Sequence, residues 1–194
     1  MKICGVVGSP KKNGNVDLLV SQVLKGAKSQ GATTRKTYLN DLKIRPCQSC
    51  GSDPSPKCCL FDDDMEEVYE ILQSCDAIVL GSPVYFDTVS AQTKLITDRC
   101  NCLMPYVKKS DGTTGFERRI RKRKKGVFIA VAGTEQEFDT TLKTVEGFFN
   151  WANIELTEKI FYPHDDSELG GVKSNKGKMN QAFKVGVLLA KEES

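Results

Sequence analysis

The residues VFIAVA at 127–132 form an unbroken apolar run of strand length, set between the basic RRIRKRKK of 118–125 and Gly133. A strand that is apolar at every position must be covered on both faces, and this requirement constrains the fold more than any other feature. ICGVV at 3–7 and DAIVLG at 76–81 are runs of the same kind. The stretches between them carry helical periodicity instead. Val16, Leu19, Val20, Val23 and Ala27 share one face of a helix predicted over 15–29, which Gly31 stops. Met65, Val68, Tyr69 and Leu72 mark a second helix, opened by Asp62, Asp63 and Asp64, acids that read as first-turn partners of the helix dipole. Helices over 90–102, from Phe138 to Ala152 and over 177–191, with strands over 33–39 and 154–162, complete the alternation. Five strands alternating with five helices predict an α/β fold: a doubly wound, five-stranded parallel sheet with helices on both faces. The polar strand over 33–39 belongs near a sheet edge.

The length of 194 residues suits one domain over 1–194, with a Cys-rich loop at 40–60 and a basic connection at 103–125. No apolar run approaches the roughly 20 residues of a membrane span, and no signal peptide precedes the first strand, so a cytoplasmic protein without membrane contact is expected. The eight cysteines are too few for a disulfide scaffold. In a reducing compartment they are expected to be thiols, metal ligands or redox groups, with Cys4 and Cys75 as buried apolar fillers. The net charge is +3, but residues 118–125 hold seven of the 28 Lys and Arg, and the remainder is slightly acidic. A nucleic-acid binder spreads positive charge over a face, so nucleic acid is not an expected partner. The basic run itself reads as a solvated face, with steering of a phosphorylated cofactor or an acidic partner as the lesser reading.

Ligands of doubly wound sheets bind beyond the carboxyl ends of the strands, and three unusual stretches fall there. GSPKKNGN at 8–15 joins the first strand to the first helix and offers a hydroxyl, amides, lysines and a helix N-terminus, an arrangement that suits a phosphate. It matches neither GxGxxG, nor a P-loop, nor a C-x5-R phosphatase loop, and a plain capped turn is the competing reading. GSPVYF at 81–86 puts two adjacent aromatics at a strand end, where they can wall a flat ligand or pack on the next helix. AGTE at 132–135 is a small, backbone-rich turn. Together they suit a guest with a phosphate at one end and a planar ring at the other.

GVVGSPKKNGNV, Cys47-x-x-Cys50, CCLFDDDM and GSPVYF, with Asp98-Arg99 downstream, resemble the NAD(P)H-dependent FMN reductase and iron–sulfur flavoprotein group, over Met1 to about Tyr162. The resemblance implies a flavodoxin-like fold and an FMN-dependent oxidoreductase. Such an enzyme passes electrons from NAD(P)H through FMN to a quinone, flavin, metal centre or protein. The alternative is an FMN electron-transfer protein, with or without an iron–sulfur cluster, that does not itself oxidise NAD(P)H. By the same analogy Ser9, Lys11, Asn13, Asn15 and Val16 line the phosphate, Pro83, Val84, Tyr85 and Phe86 lie along the isoalloxazine, and Ala132, Gly133 and Thr134 close its other side. No side-chain catalytic residue is implied, because the flavin carries the chemistry. A homodimer or homotetramer is implied, with the Cys loop and residues 103–125 as contact segments. Members often carry Arg at the position of Lys11, and a lysine lacks the bidentate fork.

The iron–sulfur branch has C-x2-C-x2-C and a fourth Cys some residues later. Cys47, Cys50 and Cys59 fit three of those positions, whereas the remaining one is Asp53, which leaves Asp53 or Cys58 as a fourth ligand. Zinc on these cysteines, and a loop of free thiols or a Cys47–Cys50 redox pair, are the competing readings. Cys100 and Cys102 face different ways on a helix and read as poor joint ligands. His164, the single histidine, reads as a solvated loop residue, and Trp151 as core or subunit interface.

Overall fold

The structure is a computed structural model and describes residues 1–51, 57–133, 135–164 and 168–191. In chain order its elements are β1 (Lys2–Val7), α1 (Asn15–Lys28), β2 (Thr33–Tyr38), α2 (Met65–Ser74), β3 (Ala77–Tyr85), β4 (Thr88–Val89) and α3 (Ala91–Arg99). β5 (Tyr106–Lys108), β6 (Thr114–Phe116), β7 (Lys124–Gly133), α4 (Asp139–Trp151), β8 (Ile154–His164) and α5 (Lys176–Leu189) follow. The five long strands are all parallel, in the order β2-β1-β3-β7-β8. This is the flavodoxin-like order, whose switch point lies between β1 and β3.

Side-chain alternation along the strands divides the core in two. Cys4, Val6, Ile78, Leu80, Phe128 and Ala130 point to the side covered by α2, α3 and α4. Ile3, Val7, Val79, Val127, Ile129 and Val131 point to α1 and α5. The polar β2 is an edge strand, as its sequence predicts. α1 and α5 cross at two glycines. A Cβ on Gly26 would stand 2.0 Å from the Phe183 carbonyl oxygen, and one on Gly186 would stand 1.9 Å from that of Val23. Backbone therefore meets backbone at this crossing.

Three expectations need correction. β3 runs on to Tyr85, so Ser82, Pro83 and Val84 are strand residues rather than a turn. β3 continues through Phe86 and Asp87, at φ 51° and 58°, into the antiparallel β4. Positive φ at both central residues is the signature of a type I′ hairpin, which the strand's right-handed twist favours. Residues 103–125 are more than a connection, because they contain the β5–β6 hairpin. Its turn is held by Asp111, whose Oδ1 accepts from the Thr113 N–H and Oγ–H, with Gly112 at φ 83°. Finally, Cys4 and Cys75 are not two separate fillers but are joined as a disulfide. β1 pairs with β3 in a register that sets Cys4 beside the residue ending α2, a neighbourhood that a sequence separation of 71 conceals.

Candidate functional site

A cavity of about 760 Å³ opens at the carboxyl ends of β1, β3 and β7. Its volume falls within the range of small-molecule and cofactor sites. Ser9, Lys11, Asn15 and Val16 line it from the loop after β1, Pro83, Val84 and Tyr85 from β3, and Ala132 and Gly133 from β7. Asn13 and Phe86 do not line it. Asn13 stands in the loop at φ 62°, and Phe86 projects into solvent at 96% exposure from the tip of the β3–β4 hairpin. Thr134 lies outside the described residues.

Lys12 and Gly14 of the loop after β1 line the cavity too, and so do residues that the sequence patterns do not assign to the site, including Gln136, His164 at the end of β8, and Gly170 beyond it. His164 is half-buried at the end of β8 and stacks on Tyr162, with ring centroids 5.6 Å apart, so its reading as a solvated loop residue is corrected. The signal available in the sequence was the strand itself. A longer β8 carries His164 to the same edge as Gly133, its partner in register.

One end of the cavity suits an anion. Gly14 caps α1 without a side-chain hydrogen bond, and the N–H groups of a helix's first turn have no partners within the helix. Lys12 is taken up by Asp41 at 2.7 Å, which leaves Lys11 as the lysine of this pair with no anionic partner among the described residues. The backbone also packs too closely here for side chains. A Cβ on Gly170 would stand 2.6 Å from the Asn13 carbonyl oxygen. The Asn15 side-chain oxygen accepts the Val172 N–H at 3.0 Å, fastening the loop to the segment after β8.

Two buried networks fix the loop. Asp17 is 2% exposed, and its carboxylate accepts from Lys36 at 2.6 Å, from the Asn13 N–H at 2.7 Å and from the Tyr38 hydroxyl at 3.0 Å. Burial raises the Asp17 pKa, but these donors outweigh it and hold the carboxyl below its ordinary range. The second network is a knot of hydroxyls. Ser90 Oγ donates to the Gly8 carbonyl at 2.7 Å and accepts the Thr93 N–H. Its one proton is thereby used, so Thr93 Oγ1 donates to it across 3.0 Å. The Ser90 N–H reaches Ser82 Oγ at 3.0 Å, and the Gly8 N–H reaches the Gly81 carbonyl at 2.7 Å. The ends of β1 and β3 and the start of α3 thus form one rigid unit.

The NADPH-dependent FMN reductase family matches residues 1–158. The chain belongs to this family. It is 30% identical over 175 residues to an iron–sulfur flavoprotein of Methanosarcina thermophila, covering 90% of this chain and 83% of that one. It is 33% identical over 149 residues to one from Methanocaldococcus jannaschii, covering 77% and 72%. Among solved structures a flavone reductase superposes with a TM-score of 0.73 at 21% identity, covering 98% of this chain and 62% of its own. The azoreductase AzrA superposes with a TM-score of 0.66 at 15% identity, covering 97% of this chain and all of its own. The last two likenesses are of fold. As a member of the FMN reductase family, the chain is a flavoprotein oxidoreductase with FMN as cofactor and NAD(P)H as reductant. The cavity fits FMN on its own evidence, through an uncapped helix N-terminus with a free lysine at one end and an apolar strand-end wall at the other.

The acids of 62–64 do more than cap α2. Asp63 receives both guanidinium nitrogens of Arg99, at 2.7 and 3.1 Å, and the Arg45 N–H at 3.0 Å, while Asp64 takes the Lys43 N–H at 2.7 Å. They clamp the Cys-rich loop to the start of α2 and the end of α3. Burial raises the Asp63 pKa, and the Arg99 and backbone donors reverse this and leave it lowered. A second cavity, of about 540 Å³, lies under this loop, lined by Cys47, Cys50, Cys59, Cys102 and Arg99. Cys58 is buried on the other side of the loop, where its sulfur accepts from Gln73 at 3.6 Å. Asp53 lies outside the described residues. No group of three or more His, Cys, Asp or Glu among the described residues converges on a single metal ion, which leaves the zinc reading without a site there. Cys100 is buried away from this cavity, and burial pushes the Cys102 thiol up to about 11.

Most of the basic run has local partners. Arg118 donates to the Asn150 carbonyl, Arg119 to that of Lys57, Lys122 pairs with Asp76, and Arg123 with Glu155. Trp151 is half-buried and donates its indole N–H to the Asn101 carbonyl at 3.2 Å. No helix among the described residues is long and apolar enough to cross a membrane.

Proposed function

We propose that the chain, acting as a single FMN-binding domain, holds FMN in the cavity at the ends of β1, β3 and β7. There it passes electrons from NAD(P)H to a quinone, flavin, metal centre or protein acceptor. The observation that supports this best is the pairing, in one cavity, of an anion-binding helix start with a flat apolar wall. Ser9, Lys11 and the first-turn N–H groups of Asn15 and Val16 hold the phosphate. Asn13 acts indirectly, since its N–H bond to Asp17 sets the loop's shape. Pro83, Val84 and Tyr85 lie along one side of the isoalloxazine, and Ala132 and Gly133 along the other. Thr134 follows Gly133 in sequence and joins that side by analogy with the family, and Phe86 stands at the entrance. When bound, FMN supplies a two-electron acceptor that takes hydride at N5 and can release electrons singly. The protein's own part is to position and desolvate it. Tyr85, exposed on one side and bordering the cavity on the other, narrows access to the site.

Steady-state oxidation of NADH and NADPH by the FMN-loaded chain tests this reading. Turnover with a quinone or free flavin as acceptor is the expected result. FMN binding without nicotinamide oxidation would instead establish the second reading, an electron-transfer protein. The Cys-lined second cavity favours that reading, because the curated relatives are named iron–sulfur flavoproteins. On the second reading Cys47, Cys50 and Cys59 are ligands of an iron–sulfur cluster. The protein is proposed to work in the cytoplasm as a homodimer or homotetramer.

A further inference from the structure

We propose that Cys102, from outside the cysteine-rich loop, is the fourth thiolate of an iron–sulfur cluster held by Cys47, Cys50 and Cys59 in the second cavity. The proposal rests on the reading that this chain carries such a cluster, and it names the ligand that replaces the cysteine missing at Asp53. Four cysteines line one cavity, three from the loop and one from the 3₁₀ turn Cys100–Leu103 that follows α3. Four thiolates are the usual cradle of a cluster. Their failure to converge on a point excludes a single ion but not a cluster, because iron and sulfide fill the space between the ligands.

Cys58 is the alternative within the loop, and it is turned away. Cys59 lines the second cavity, whereas Cys58 does not and is buried beside Gln73.

The surroundings suit an anionic guest. Arg99 lines the cavity and is 2% exposed, and its Nε–H has no acceptor among the described residues. Its other nitrogens are committed to Asp63 and to the Arg45 carbonyl. A buried donor without an acceptor is costly, and a cluster with thiolate ligands brings both negative charge and acceptor sulfurs to this wall. The ligand sulfurs also have donors. The Ser49 N–H points to Cys47 Sγ at 3.4 Å, and the Tyr69 hydroxyl lies 3.1 Å from Cys102 Sγ. Tyr69 now shares the Arg99 carbonyl with the Cys102 thiol. Once iron displaces the Cys102 proton, which leaves to solvent, the Tyr69 hydroxyl is placed to donate to the sulfur, as outer-sphere donors do at metal sites. Assembly from equal amounts of ferrous and ferric iron with sulfide is ligand exchange without net oxidation, in which each thiol releases a proton to solvent as its Fe–S bond forms.

The test is anaerobic reconstitution of the FMN-loaded chain with equal amounts of ferrous and ferric iron and sulfide. Iron, sulfide and FMN are then assayed after gel filtration. Wild type and Cys58→Ala are expected to retain iron and sulfide in equal amounts, whereas Cys102→Ala falls to the level of Cys47→Ala with FMN retained. Full iron in Cys102→Ala, or a Cys58→Ala loss as deep as that of Cys47→Ala, would overturn the assignment. FMN without iron in wild type would overturn the cluster and leave the flavin reading intact; iron without FMN would do the reverse. Should Cys102→Ala lose FMN as well, wild type decides by alkylation and mass spectrometry. Cys102 is expected to react in the iron-free chain and be protected, with Cys47, Cys50 and Cys59, in the loaded one. Reaction of Cys102 in both states overturns the proposal.

Discussion

A few buried side chains set the shape of the flavin loop and of the loop beside the second cavity. Asp17 ties Asn13, Lys36 and Tyr38 together beneath the phosphate loop. Asp17→Asn removes the charge from the hydrogen bonds this carboxylate accepts, and a bond to a charged group is worth about 1.5–3 kcal/mol. It is expected to weaken FMN binding about tenfold or more, read by fluorescence titration, and to lower the melting temperature. Asp63 behaves similarly toward Arg99. Both carboxyls have folded-state pKa values below their ordinary range. Their stabilisation is therefore complete above the unfolded carboxyl range and is lost as pH falls through the lowered folded values. Accordingly, the stability difference between wild type and Asp63→Asn, measured by urea unfolding, should be full at pH 6 and shrink steadily below about pH 4. A difference independent of pH would mean that the Asp63 charge is not what matters. Tyr85→Ala should alter FMN affinity and reduction potential while leaving nicotinamide oxidation measurable, because no side chain here does the chemistry. Unchanged affinity and potential would remove Tyr85 from the site.

At the scale of elements, the site depends on how closely helices and strands approach one another. The contact of α1 with α5 permits no side chain at Gly26 or Gly186. Gly186→Ala is expected to cost about 1–3 kcal/mol or more by forcing the helices apart, a shift visible in the urea midpoint. Because α1 begins at the phosphate loop, FMN affinity should fall with it; an unchanged midpoint would show that α5 moves freely. The long elements were legible in the sequence because burial on both faces and helical periodicity leave strong local patterns, as VFIAVA and the Val16–Ala27 face did. The glycine crossing was not legible, since a glycine in a helix says nothing about what approaches it. The β3–β4 hairpin was hidden because Phe86 and Asp87 adopt positive φ without the Asn or Gly that usually announces it. His164 was misjudged for another reason: its neighbours at the site come from other segments, and only the sheet register brings them together.

For the molecule as a whole, the two cavities are separate, the first at the strand ends and the second under the Cys-rich loop, and apolar surface remains beside the second. Leu60, Tyr106 and Phe116 are each more than half exposed, and Phe116 packs edge-on against Trp151. Exposed aromatic groups of this kind mark contact surfaces. The chain is expected to sediment as a homodimer or homotetramer at micromolar concentration, and Tyr106→Glu with Phe116→Glu to shift it toward monomer. A wild-type monomer would contradict this. The account depends above all on the flavin, so the most direct measurement is an anaerobic visible spectrum of the purified chain before and after addition of FMN. The two absorption bands of protein-bound oxidised flavin, bleached by NADPH or NADH, are the predicted result. A chain that stays colourless and takes up no FMN would contradict the account and leave only the fold.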